Sequence, residues 1–237
     1  MDSFLDSPLT EIQVISPRLR FQYNCAARAS GQILDVGCSD DPLGFRVLGS
    51  RCVHFDIDDW SDYYEQLGAK FVQGDAHCLT SYFEPNSFEL VILGDVAEHL
   101  ENPIAAILEA AKVTNHWLCL TIWEETRLPA VGYNRTAAWT ADTKTARAQG
   151  YEDFEDLQKA QLAQKGAKGY PERKVAHAVH IWRFDDALVD VIIEKVCQQE
   201  GLHRLFYQKV PEVVHEGTQF YNWLVLLEKE NSNANLK

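Results

Sequence analysis

The chain has no C-x-x-C pair: Cys25, Cys38, Cys52, Cys78, Cys119 and Cys197 all stand singly. That scatter reads as reduced, mostly buried thiols in a cytosolic enzyme. No apolar run approaches the ~18–20 residues that cross a bilayer, so no membrane span is expected. The first residues, MDSFLDSPLTEIQ, are acidic and lack a basic segment followed by an apolar one, so they do not read as a signal peptide. The expected location is therefore cytoplasmic. Basic charge is in short supply as well. Against 35 Asp and Glu stand 22 Lys and Arg, a formal net charge of −13. Phosphate contacts need clustered Lys and Arg, so a general nucleic-acid binder is disfavoured and no nucleic-acid partner is expected. Internal repeats are missing, and low complexity is confined to the tail ENSNANLK.

What is present is ordinary for a globular α/β chain: 46% hydrophobic and 24% charged residues. The length suits one large domain, or one domain carrying an insertion. GQILDVG (31–37), RCVHFDI (51–57), AKFVQGD (69–75), FELVILGD (88–95) and HWLCLTIW (116–123) read as buried strands. Pro42–Leu48, Trp60–Leu67 and Pro103–Val113 read as the helices between them, the last with Ile104, Ile107, Leu108 and Ala111 as its apolar stripe. Residues 124–176 hold no convincing strand, and 151–166 is a polar helix candidate. Regularity resumes at FDDALVDVIIEKVCQQEG (184–201), with Asp185 placed to cap the helix start and Gly201 its end. HRLFYQKV (203–210) and TQFYNWLVLLEKE (218–230) follow as strands. The expectation is a single domain over 1–237: a Rossmann-like, mostly parallel seven-stranded sheet with helices on both faces, an N-terminal helical segment at 1–30, and a helical lid inserted at 124–176.

The stretch QILDVGCSDDPLG (32–44) carries the chemistry. Gly37 stands where a strand turns into a loop that needs a positive φ or a close approach of backbone to ligand. Asp41 and Pro42 suit the cap and first position of a helix. A dinucleotide loop, G-x-G-x-x-G, matches only at Gly37, and a pyrophosphate at that helix start would meet Asp40 and Asp41. A nicotinamide oxidoreductase is thereby disfavoured. A cofactor that bears a sulfonium and an ammonium, and no phosphate, tolerates those carboxylates; S-adenosylmethionine is such a cofactor.

ILDVGCSDDPLG resembles the first motif of class I S-adenosylmethionine-dependent methyltransferases, and three further stretches follow it in the family's order. VHFDIDD places Asp56, 21 residues after Asp35, where the family holds the ribose hydroxyls, with Asp58 nearby. FVQGDAHCL places Asp75 by the adenine amino group, with Ala76 and His77 along the ring. FELVILGDVAEHL is similar to the family's fourth motif, with Asp95, Glu98 and His99 in register. The resemblance covers about residues 30–123, and its pattern is that of ubiquinone-type O-methyltransferases. It implies S-adenosylmethionine as cofactor, contacted by Asp35, Gly37, Cys38, Ser39, Asp56, Ile57, Asp75, Ala76 and Asp95. Two departures stand out: Ser39 replaces the usual second glycine, and VTNHW replaces the proline-glycine turn before the fifth strand. Residue by residue, other roles stay open. Asp35 could serve backbone donors in its loop, Cys38 and Cys78 could be bystanders, and Trp60, Tyr63 and Tyr64 suit helix packing better than a substrate box.

Methyl transfer from a sulfonium needs alignment, exclusion of water and, for a hydroxyl acceptor, removal of a proton. Histidine suits that last task, and His99, His177 and His180 are the candidates. His177 and His180 can equally be an alternating strand or loop edge, and His99 a packing residue. Asp95, Glu98 and His99 also resemble the Mg²⁺ or Mn²⁺ ligands of some ubiquinone-pathway and small-RNA methyltransferases; the preferred reading holds no metal. Trp123, Tyr133, Trp139 and Tyr170 could line an acceptor pocket beneath the lid. The expected activity is methylation of a small-molecule acceptor on oxygen. N-methylation, metal-dependent O-methylation and a non-catalytic cofactor-binding partner module are the alternatives.

Overall fold

A computed structural model describes residues 17–39, 49–124, 184–215 and 218–230, with the backbone alone for 124, 212–215 and 218–220. Helix α1 (Pro17–Arg28) leads into strand β1 (Ile33–Val36), followed by β2 (Cys52–Asp56), α2 (Ser61–Gln66), β3 (Lys70–Gln73) and β4 (Phe88–Gly94). After these come α3 (Pro103–Val113), β5 (Thr114–Glu124), α4 (Asp186–Glu200), β6 (Leu202–His215) and β7 (Thr218–Lys229). The strands form one seven-stranded sheet in the order β3-β2-β1-β4-β5-β7-β6. β1 to β5 are mutually parallel, while β7 runs antiparallel to both of its neighbours. β1 therefore has β2 on one side and β4 on the other, and the crevice at that switch point opens at the strand C-terminal ends.

The two-residue side-chain period of a strand sorts the core into two layers. Leu34, Val36, Val91, Leu93, Leu118 and Leu120 face α3 and α4, together with Trp223, Val225 and Leu227 of β7. Ile33, Cys52, Leu90, Ile92 and Cys119 face the opposite way, against Phe21, Cys25 and Ala26 of α1. Covering both faces is what lets these strands read as unbroken apolar runs. Trp60 and Tyr64 of the α2 segment pack with Cys38 in a smaller cluster, so the aromatics at 60–64 are packing residues. Four of the six cysteines are buried, Cys78 is exposed, and all six are free thiols.

The expected helix boundaries follow their caps. Asp185 accepts from Leu188 N–H at 2.8 Å, and Gly201 closes α4 with φ +63°. Asn102 caps α3 through Ala105 N–H at 3.1 Å, ahead of Pro103. One detail differs from the sequence expectation. The buried side of α3 is Ala106, Ile107, Ala110, Ala111 and Val113, with Ile104 and Leu108 only partly covered at its margin. Alanines let the helix approach the sheet and α4 closely, and a pattern of bulky residues alone misses that stripe. The missing proline-glycine turn also has a replacement. α3 passes straight into β5 at Thr114, whose hydroxyl donates to Trp117 O at 2.9 Å, while Asn115 Nδ2 donates to Asn86 O at 3.0 Å. β6 runs past the expected Val210 through Pro211, which the last strand of the sheet tolerates because, among the described residues, one side of its ladder has no partner strand. Among the described residues no helix is long and apolar enough to cross a membrane. The helix expected at 42–48 and the lid at 124–176 lie outside the described residues, apart from the first residue of the latter.

At the far end of the sheet Glu228 holds three neighbours. It accepts from His116 Nε2 at 3.0 Å and Trp117 Nε1 at 3.3 Å, and pairs with His203 Nε2 at 2.9 Å. Partial burial pushes its carboxyl up, but the hydrogen bonds and the histidine charges outweigh it, and the net shift is downward. A carboxyl lowered in the folded state contributes stability above its unfolded pKa and loses it as pH falls through the folded one. Glu228→Gln is expected to leave a shallower fall in urea-unfolding stability on the acid side of pH 4.5 than the parent shows; identical acid limbs would contradict this origin.

Candidate active site

The loop after β1 is built around two positive-φ residues, Gly37 at +74° and Ser39 at +49°. Gly37 N–H donates to Phe55 O at 2.7 Å, turning the chain across the end of β2. A Cβ on Gly37 would lie 2.3 Å from Val96 Cγ2, so this position needs glycine for space as well as for φ. Ser39 stands where the family pattern has glycine, and its left-handed φ explains the family's preference. A serine there carries strain of about 1–2 kcal/mol, and it is held from both sides. Its N–H donates to Asp56 Oδ2 at 2.9 Å, and its carbonyl accepts from Tyr64 Oη at 2.9 Å.

Asp56 ends β2 and is 9% exposed. Its other oxygen accepts from Asp58 N–H at 2.9 Å, so backbone donors grip both carboxylate oxygens and fix the plane of the group. These take two of a carboxylate's roughly four lone-pair directions. Ile57, just beyond, is 39% exposed. Asp75 caps the short turn at Ala76–Ser81 by accepting from His77 N–H at 2.9 Å, and its Oδ1 also lies 2.6 Å from His77 Nδ1. His77 Nε2 accepts from Asn102 N–H at 3.2 Å, so the ring proton sits on Nδ1 and points at Asp75. The predicted adenine-side pair is thus tied to the cap of α3. Asp35 lies elsewhere: its carboxylate faces the buried ring of His54 at 3.4 Å on β2, beneath the loop.

Among known proteins, residues 34–116 match the methyltransferase domain family. The fold is similar to that of the YcgJ protein from Bacillus subtilis, with TM-score 0.56 and 14% identity over 90% of this chain and 98% of that one. It is likewise similar to a SAM-dependent methyltransferase from Methanosarcina mazei, with TM-score 0.52 and 13% identity over 84% and 92% of the two chains. No curated protein matches the sequence. These likenesses show the fold of class I S-adenosylmethionine-dependent methyltransferases, with the match to a methyltransferase domain confined to residues 34–116.

The residues at this site fit S-adenosylmethionine in kind. A rigid carboxylate at the end of β2 suits ribose hydroxyls in chemistry, and it would repel the 2′-phosphate of a phosphorylated cofactor. The glycine turn brings backbone close to the β1/β4 crevice.

At the other lip of the crevice, Asp95 is drawn into a clamp that the sequence did not reveal. Its carboxylate pairs with Arg18 of α1 and accepts from Thr121 Oγ1 at 2.9 Å, and Gln22 Nε2 donates to Thr121 Oγ1 at 2.8 Å. α1 is thereby fastened over the ends of β4 and β5. The available signal was a polar pair at i and i+4, Arg18 and Gln22, on a helix whose Phe21 and Cys25 are fully buried. Glu98 lies beside this clamp, 1% exposed, with neither carboxyl oxygen in a hydrogen bond among the described residues. Burial raises its pKa to about 8, against the pull of its own N–H, the Arg18 charge and the N–H of Trp123. Those two N–H groups approach it without reaching hydrogen-bond geometry. His99, next in the turn, is partly exposed. Among the described residues the donor atoms of Asp95, Glu98 and His99 do not gather within 4.8 Å of one another. His177 and His180, with Tyr133, Trp139 and Tyr170, lie outside the described residues.

Two outcomes are expected. Gly37→Ala should cost about 2–4 kcal/mol, from the left-handed φ and the overlap with Val96. Val96→Ala in the same chain should recover the steric share, so a double-mutant cycle read by urea unfolding should give coupling of about 1–3 kcal/mol; simple additivity would rule out the overlap. For Glu98, a folded pKa above the unfolded one means that stability is greatest at low pH and is lost as pH rises from about 4.5 to about 8. The slope is about 1.4 kcal/mol per pH unit. Glu98→Gln, which mimics the protonated acid, should remove that slope; an unchanged profile would show that Glu98 titrates normally.

Proposed function

We propose that the protein is an S-adenosylmethionine-dependent methyltransferase that acts on a small-molecule acceptor and methylates it on oxygen. The observation that carries the cofactor half of this reading is Asp56, gripped by Ser39 and Asp58 N–H groups at the end of β2 beside the Gly37 turn. When bound, S-adenosylmethionine supplies a methyl group already activated by its sulfonium, so the protein's part is to bind, align and exclude water.

Asp56 holds the ribose hydroxyls, with Ile57 against the adenine beside it. The turn through Gly37, Cys38 and Ser39 lies along the amino-acid portion. Asp75 and Ala76 meet the adenine, positioned by the link from His77 to Asn102. Asp95 shapes the acceptor end while it anchors α1 through Arg18. The proton of an acceptor hydroxyl passes to an imidazole, His99 or one of His177 and His180 from the segment before α4. In the whole chain, taken as one domain over 1–237 and located in the cytoplasm, residues 124–176 close over the acceptor and choose it. Oxygen is favoured over nitrogen because three histidines are available to take a proton near neutral pH, a step that a neutral amine does not need before attack. A similarly folded protein from Thermotoga maritima, TM-score 0.50 and 11% identity, is described as a possible histamine N-methyltransferase, which makes amines the comparison set.

Calorimetric titration with S-adenosylhomocysteine tests the cofactor half. The parent chain should bind, and Asp56→Ala should weaken binding by at least about tenfold, as expected for losing charge-assisted hydrogen bonds of about 1.5–3 kcal/mol. Absence of binding by the parent would overturn the reading. With radiolabelled methyl donor, transfer to phenols and alcohols in preference to amines should be lost in His177→Ala or His180→Ala chains that still bind S-adenosylhomocysteine. Transfer to amines alone would replace oxygen with nitrogen.

A further inference from the structure

Asp35, Cys52 and His54 meet on the α1 face of the sheet. The parallel register sets Asp35 beside His54 and Ile33 beside Cys52, and the period of two turns Cys52 and His54 to the same side. One donor atom from each of the three lies within 4.8 Å of the other two. Cys52 is 1% and His54 0% exposed, and the Asp35 side chain is 17% exposed. His54 is stacked on Tyr64 at 4.4 Å and 22°, which fixes the plane of its ring.

The spacing between imidazole and carboxylate is not that of a hydrogen bond, and the Cys52 thiol donates to Val53 O at 3.6 Å. His54 Nδ1 stands 3.4 Å from Asp35 Oδ2 and 3.9 Å from Cys52 Sγ. A charge-assisted N–H to carboxylate bond would be about 2.7–2.9 Å. Zinc bonds of about 2.0–2.2 Å to nitrogen and oxygen and about 2.3 Å to sulfur, set at tetrahedral angles, instead separate nitrogen from oxygen by roughly 3.3 Å and nitrogen from sulfur by roughly 3.6 Å. The nitrogen–oxygen spacing lies close to that pattern, and the nitrogen–sulfur spacing is about 0.3 Å longer.

We infer that Asp35, Cys52 and His54 form a binding site for one borderline divalent cation, zinc in kind. The donor set of one thiolate, one imidazole and one carboxylate suits zinc over the hard cations Mg²⁺ and Ca²⁺. Its charges balance. Carboxylate and thiolate together neutralise a dication, which is what an apolar surrounding demands of a buried ion. The partly exposed edge at Asp35 is the way in and the place for a fourth ligand, water. The ion would tie the end of β1 to β2 two residues before Gly37, which gives Asp35 a structural role in place of a cofactor contact. None of this depends on the proposed reaction.

Cobalt(II), which takes zinc's place in tetrahedral sites and reports sulfur ligation by an intense near-ultraviolet charge-transfer band, is the probe. Reduced full-length protein titrated with Co²⁺ should show that band, saturating at one ion per chain and erased by Zn²⁺. Cys52→Ala should abolish the band while retaining the parent's circular dichroism. The exposed thiol variant Cys78→Ser and the surface variant His203→Ala should keep it. Should Cys52→Ala not fold, His54→Asn and Asp35→Asn serve instead, each expected to weaken zinc by more than the roughly 10–100-fold that loss of a neighbouring outer group costs. No band in the parent, or a band of full strength in folded Cys52→Ala, overturns the inference. S-adenosylhomocysteine calorimetry on the same preparation separates the two readings: cobalt without the nucleoside sinks only the function, and the nucleoside without cobalt sinks only this site.

Discussion

The hydrogen bond from Ser39 N–H to the Asp56 carboxylate fastens one lip of the cofactor crevice. It spans the gap between the loop after β1 and the end of β2, and it holds Ser39 in a left-handed conformation that serine adopts at a cost. Everything around it is arranged to keep it. Asp58 N–H fixes the second carboxylate oxygen, Tyr64 donates to the Ser39 carbonyl, and Phe55 O accepts from both Gly37 and Cys38. The backbone is thereby held in the one shape that lets a ligand reach the β1/β4 switch point.

The opposite lip works by a different principle. There the sheet ends in polar groups that are covered by α1 and are not left to water. Arg18, Asp95, Thr121 and Gln22 pair with one another, whereas Glu98, whose carboxyl oxygens make no hydrogen bond among the described residues, meets its burial by keeping its proton at neutral pH. A charged carboxylate in that position would cost several kcal/mol, which the nearby Arg18 charge only partly offsets. One lip is thus charged and hydrogen-bonded while the other is neutral on balance.

Much of the fold was legible in order along the chain. Strands buried on both faces announce themselves as apolar runs, and Asp185 with Gly201, or Asn102 with Pro103, mark helix ends by chemistry that is local. The turn at Gly37, the carboxylate that ends β2 at Asp56 and the cap at Asp75 were legible for the same reason: each is a short segment with particular atoms at fixed spacing. The buried stripe of α3 was read too far toward its bulky residues, because alanine carries little signal in a hydrophobic pattern yet sets how closely a helix approaches. Arg18 and Gln22 escaped notice because their partners lie about 75–100 residues away, at the ends of strands whose order only the sheet reveals.

The cysteines make the same point more sharply. Read along the chain they have no metal-ligand spacing, and by that measure Cys52 is a buried thiol like the others. Pairing β1 with β2 in parallel brings Asp35, from seventeen positions before Cys52 in the sequence, beside His54 and onto the same face. By itself the sequence determined the strands, their caps, the glycine turn and the carboxylate that ends β2, since each rests on interactions within a few residues. Only the tertiary structure decided which groups α1 covers, which carboxyl keeps its proton and which three donors converge, because burial and long-range register are properties of the assembled sheet.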